Sequence, residues 1–90
     1  MFEFDFSDEL RETLHKLRKK DGKMFKRVHK KIEEIANCDL QSIDHYKNLQ
    51  HELKERKRVH IGHFVLVFRV FPEKKFVLFT RFAHHDKAYE

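Results

Sequence analysis

Two runs, Phe64 to Phe71 and Phe76 to Phe82, are so rich in Phe and Val that they read as adjacent strands of a sheet core, yet each carries one arginine, Arg69 and Arg81. Aromatic and β-branched residues favour the pleated, half-buried surface of a strand. A guanidinium buried without a partner is costly, so one face of this sheet is expected to stay open. Gly62-His63 precedes the first run, and glycine at the first position of a two-residue loop is what a type II′ turn requires. That turn sets Ile61 opposite Phe64, Val59 opposite Leu66, Arg58 opposite Val67 and His60 opposite Val65.

A second turn at Pro72-Glu73-Lys74, joining Phe71 to Lys75, predicts Arg69 opposite Val77, Val67 opposite Phe79 and Val65 opposite Arg81. Strict alternation then puts Phe64, Leu66, Phe68, Val70, Phe76, Leu78, Thr80 and Phe82 on a helix-covered face. The other face gathers Arg58, His60, Arg69 and Arg81 around Val65, Val67 and Phe79. Cations on one sheet face repel one another, so such a face points to anionic ligands, phosphates first. Pairing of Arg69 and Arg81 with carboxylates from the helices or tail is the alternative.

The rest of the chain reads as scaffold. Phe2-Glu3-Phe4-Asp5-Phe6 alternates as a strand with one buried face. Ser7 followed by Asp8 and Glu9 suits a helix start, with Leu10, Leu14 and Leu17 on one side. Asp21-Gly22 interrupts, and Met24, Phe25, Val28, Ile32 and Ile35 mark a second apolar stripe. The turn-rich stretch Asn37 to Lys54 connects helices to sheet through Leu40, Ile43, Tyr46, Leu49 and Leu53 as anchors. The expected fold is α+β, a small antiparallel sheet on an N-terminal helical hairpin in the order β-α-α-β-β-β, with residues 1–90 as a single domain.

Composition narrows the function classes. Twenty Lys and Arg against 15 Asp and Glu give +5, which favours a polyanion or an acidic protein as partner. A lone Cys38 rules out an internal disulfide and, with no secretory leader at Met1, points to the cytoplasm; no apolar run is long enough to cross a membrane. The eight histidines show no metal-ligand spacing, and two scattered glycines build no phosphate loop, so neither metal nor cofactor is expected. His84-His85-Asp86 follows the last strand, where an imidazole suits proton transfer, and the late Tyr89 is expected to pack back on the body.

The chain resembles the RelE/ParE superfamily of toxins from toxin–antitoxin modules, in particular ribosome-dependent messenger RNA interferases of the RelE and YoeB type. The resemblance spans nearly the whole chain. It is carried by Leu49-Gln50-His51-Glu52-Leu53 with Arg58-Val59-His60-Ile61-Gly62 before the central hairpin, by Phe64 to Arg69, and by His84-His85-Asp86-Lys87-Ala88-Tyr89, similar to a closing His-Arg, three residues and Tyr. Val65 stands where many members place an arginine, with Arg81 expected to fill that space, and no catalytic glutamate is assigned, although Glu52 and Glu55 lie near.

The resemblance implies metal-independent cleavage of messenger RNA on the ribosome. His60 or His85 would transfer protons; Arg58 and Arg81 would contact the scissile phosphate, and Tyr89 would orient or stack a base. Arg56, Lys57, Arg69 and His84 are the expected further RNA contacts. An acidic antitoxin in a toxin–antitoxin heterotetramer is the implied partner. The alternative is a ParE-like toxin, or an inactive relative, that binds without cutting RNA.

Overall fold

The computed structural model describes residues 1–48 and 56–88. Strand β1 (Glu3–Phe6) leads into helix α1 (Asp8–Lys20), whose N-cap Ser7 accepts from the Leu10 amide and donates its own hydroxyl proton to the Thr80 carbonyl. That cap therefore ties the start of α1 to the last strand as well as satisfying a helix-end amide. Asp21 ends α1 and caps helix α2 (Gly22–Ala36) by accepting from the Met24 amide. Leu10 and Leu14 on α1, and Val28, Ile32, Ile35 and Ala36 on α2, are buried.

A short helix α3 (Leu40–Ile43) follows, capped by Asp39. Ile43 is buried and the Tyr46 ring stands edge-on to Phe68, as expected of anchors, but Leu40 is 44% exposed and anchors nothing in the core. Leu49 and Leu53 lie outside the described residues, as do Glu52 and Glu55.

Strands β2 (Arg56–Ile61), β3 (Phe64–Phe71) and β4 (Phe76–His84) complete a four-stranded sheet in the order β1-β4-β3-β2. The α+β class and the helical hairpin are as the sequence predicts. The sheet is mixed rather than antiparallel throughout, because β1 lies parallel to the outer side of β4. As an edge strand β1 leaves Phe4 43% exposed, although Phe2 beside it is buried. Its edge is partly closed by side chains: Arg11 donates from Nε to the Phe6 carbonyl and pairs with Asp5, which accepts from the Phe6 amide.

The β2–β3 register is the one the Gly62-His63 turn dictates, with Ile61 opposite Phe64 and His60 opposite Val65. Only Gly62 of the two has a positive φ, +62°, as a type II′ turn demands. The second hairpin departs from expectation. Pro72–Lys74 forms a 3₁₀ turn closed by Lys75 in the left-handed region, so Phe71 pairs with Phe76, Val70 with Val77 and Arg69 with Leu78. A register shift at Val67/Phe68 then places Val67 opposite Arg81 and Val65 opposite Ala83, with Thr80 as the extra residue. The expected Arg69–Val77, Val67–Phe79 and Val65–Arg81 pairs are all displaced.

The bulge reverses the alternation within β4. Before it Val77 and Phe79, not Phe76 and Leu78, face the helices, and both are fully buried; after it Phe82 faces them. The helices thus cover Leu66, Phe68, Val70, Val77, Phe79 and Phe82. Among the described residues no helix is long and apolar enough to cross a membrane.

Candidate functional site

Register places Arg56, Arg58 and His60 from β2, Val65, Val67, Arg69 and Phe71 from β3, and Phe76, Leu78, Arg81 and Ala83 from β4 on the face away from the helices. Two groupings of ionisable residues occupy it. At the hairpin end, the His60 and His85 rings stack with centroids 5.4 Å apart and planes 26° from parallel. The Arg58 Nη1 lies 3.0 Å from His60 Nε2. A guanidinium only donates, so in this contact the acceptor is His60 Nε2. The Arg58 Nε donates to the Asn48 carbonyl, which fixes the other edge of the guanidinium.

The tail reaches this place because the chain turns back after β4. The His85 amide donates to the His63 carbonyl, and the Lys87 and Ala88 amides both donate to the His84 carbonyl. That turn buries Ala88 against Val65 and Val67 in a small apolar cluster on the otherwise uncovered face. Asp86 lies 3.5 Å from His84 Nδ1 and 3.8 Å from His85 Nδ1.

Beside Ala88 the second grouping forms a cleft of about 300 Å³ lined by Arg56, Arg69, Arg81, Glu9, Val67, Leu78 and Thr80. Arg56 and Arg69 are direct cross-strand partners, a like-charge pairing that costs stability when nothing anionic lies between. The Arg69 guanidinium rests over the Phe71 ring, 5.0 Å from its centroid, and its buried Nε has no hydrogen-bond partner among the described residues. The Arg81 Nε is 3.5 Å from a Glu9 carboxylate oxygen. The cleft therefore offers guanidinium donors over an apolar floor, suited to phosphate. Among the described residues no three His, Cys, Asp or Glu side chains are grouped to hold a metal ion.

A family model described as the ParE toxin of type II toxin–antitoxin systems, parDE, matches residues 4–89. A Methanocaldococcus jannaschii protein named "Putative toxin RelE4" is 46% identical over 100% of this chain and 93% of its own length. An uncharacterized protein of Methanosarcina mazei is 38% identical over 99% of this chain and 100% of its own length. The chain belongs to the RelE/ParE toxin superfamily. The crystal structure of the toxin–antitoxin complex RelBE2 from Mycobacterium tuberculosis superposes with a TM-score of 0.59 at 26% identity, covering 92% of this chain and 96% of that one.

In this RelE/ParE toxin the expected site residues separate into two sets. Arg58, His60 and His85 meet at one end of the open face, and Arg56, Arg69 and Arg81 line the cleft. His84 is set apart, opposite Phe64 with its ring edge-on to Phe64 and stacked on His63. Lys57 does not belong to the open face: alternation turns it the other way, it is 6% exposed, and its Nζ donates to the Asp44 carbonyl, Asp44 Oδ1 and Asn48 Oδ1. It ties Asp44 and Asn48 to the sheet.

Arg81 does not stand over Val65, because the bulge moves it opposite Val67; Val65 is fully buried and faces Ala83 and Ala88. Tyr89 lies outside the described residues. Glu9 and Ala88 were not singled out from sequence. An acid in a first helical turn reads as dipole compensation, and its contact with Arg81 is made by the tertiary placement of α1. An alanine near a chain end carries no signal at all.

Proposed function

We propose that this toxin is a cytoplasmic endoribonuclease that cuts messenger RNA on the ribosome by metal-independent acid–base chemistry. The observation that carries this reading is the contact of Arg58 with His60, whose ring stacks on that of His85. Cleavage within RNA needs a base to take the 2′-hydroxyl proton, an acid to protonate the leaving 5′-oxygen, and cations on the phosphate. The products are a 2′,3′-cyclic phosphate and a 5′-hydroxyl.

His60 is the base in this scheme. Its Nε2 lone pair is held by Arg58 in the free protein, so an incoming phosphate that draws the Arg58 N–H to itself releases that lone pair for the 2′-hydroxyl. His85, across the stack, supplies the proton to the 5′-oxygen. Arg81, Arg69 and Arg56 hold the flanking phosphates, and Tyr89 orients the substrate. An acidic antitoxin that covers the basic face, in a heterotetramer of two toxins and their antitoxins, is the proposed partner; the M. tuberculosis relative was solved as a toxin–antitoxin complex.

A second reading, a ParE-like toxin that blocks a DNA topoisomerase without cutting RNA, is favoured by the description of the matching family model and by the apolar Val65. Induction in cells followed by mapping of messenger RNA ends, with and without translation, separates the two. The nuclease reading expects cuts on translated messages alone, lost in His60→Ala and His85→Ala. Intact messages during growth arrest would favour the second.

A further inference from the structure

The β3–β4 turn that seats Val77 and Phe79 in the core leaves Phe71 and Phe76 on the open face as a cross-strand pair, with ring centroids 6.1 Å apart. Both are half-buried and belong to neither buried cluster, although each carries enough apolar area to seat in a core. They adjoin the arginine cleft directly. Arg69 lies over Phe71, and its buried Nε lacks an acceptor among the described residues. The face is also asymmetric in charge. Glu3 and Asp5 stand opposite Phe76 and Leu78 on the β1 side, whereas Arg56 and Arg58 border the β2 side.

From this we infer that Phe71, Phe76 and Arg69 form a base-stacking subsite for single-stranded RNA, separate from the His60–His85 centre and served by Arg56 and Arg81 as its phosphate contacts. The inference rests on the nuclease reading and extends it, by adding a place where one unpaired base is held. Aromatic rings and guanidinium planes are the surfaces on which unstacked bases lie, and stacking needs no particular base. A base seated against Phe76 stacks beside the Arg69–Phe71 pair, on the ring and the guanidinium plane. Its adjoining phosphates then fall to Arg56 and Arg81. The acids of β1 keep the RNA backbone on the β2–β3 side, so the strand runs from the aromatic pair toward the histidines.

The test uses a short 2′-O-methyl oligoribonucleotide, which lacks the nucleophile and stays intact, and a set in which one abasic position is moved along it. Wild-type protein should lose about tenfold in affinity at one abasic position. The Phe71→Leu/Phe76→Leu variant should bind the intact oligonucleotide about tenfold more weakly, be indifferent to every abasic position, and keep the wild-type salt slope, since no charge has changed. Phe71→Tyr, which keeps the ring, should retain the abasic response and guards against a folding artefact.

Equal affinity of wild-type protein for all abasic forms would overturn the inference, and this is the outcome if the aromatic pair instead seats an acidic peptide. Failure to bind the intact oligonucleotide would overturn it too. Neither result touches the nuclease reading, which stands or falls on the cut ends mapped in translating cells.

Discussion

At the residue scale, the lesson of Tyr46 is that ordinary burial sets when a side chain ionises. Its ring packs edge-on against Phe68, and burial, reinforced by Cys38 and Glu34, pushes its phenol up to about 12. Burial, then the Glu34 and Asp39 charges, raises the Cys38 thiol as well. An unfolded tyrosine ionises near 10, so between about pH 10 and 12 the unfolded chain binds fewer protons than the folded one. Stability contributed by neutral Tyr46 is therefore complete below pH 10 and lost as pH rises through that window. Urea unfolding of Tyr46→Phe should show a smaller decline across it than wild-type protein, and equal declines would reject the account. The same scale explains why the sequence named His60 and His85 as site candidates while Glu9 went unnoticed. Alternation puts His60 on the open face and the tail follows β4, yet their stacking, like the approach of Glu9 to Arg81 through the placement of α1, is a tertiary contact.

At the element scale, the two hairpins show what decides register. The β2–β3 turn contains Gly62 at φ +62°, a conformation that glycine alone adopts cheaply, so sequence was enough. The β3–β4 turn puts a lysine, Lys75, at φ 48° and ψ 51°, and nothing in Pro-Glu-Lys-Lys announces which residue takes that strain. The Thr80 bulge was equally hidden. Its hydroxyl donates to the Val67 carbonyl at 3.2 Å, a local satisfaction of the disturbed ladder, yet threonine is also an ordinary strand residue. Lys75→Gly should stabilise the protein by about 0.5–1 kcal/mol by removing left-handed strain. Gly62→Ala should cost about 1 kcal/mol from the backbone alone, because the added Cβ meets Met24 and Arg27 only at ordinary contact, 3.5 Å. Both shifts belong in the urea midpoint with the slope unchanged. A lower midpoint for Lys75→Gly, or a higher one for Gly62→Ala, would refute the assignment of strain.

At the scale of the whole molecule, one sheet carries the core on one face and the proposed binding surface on the other. Val77 is fully buried under the helices, and its truncation to alanine removes contacts that the surrounding core only partly recovers, a loss of about 1–3 kcal/mol. Arg56 is exposed on the other face and faces Arg69, so Arg56→Gln relieves a like-charge pairing and should leave stability equal or higher by a few tenths of about 1 kcal/mol. The proposed phosphate role makes the opposite demand on affinity. Arg56→Gln should weaken binding of the uncleavable oligonucleotide and lower its salt slope by about one, whereas Val77→Ala should leave affinity per folded molecule as it was. The two side chains share no partner across the sheet, so their effects in the double variant should add. If Val77→Ala weakened binding, or Arg56→Gln left the salt slope intact, the open face would not be the nucleic-acid surface, and the like-charge pair at its centre would need another counterion.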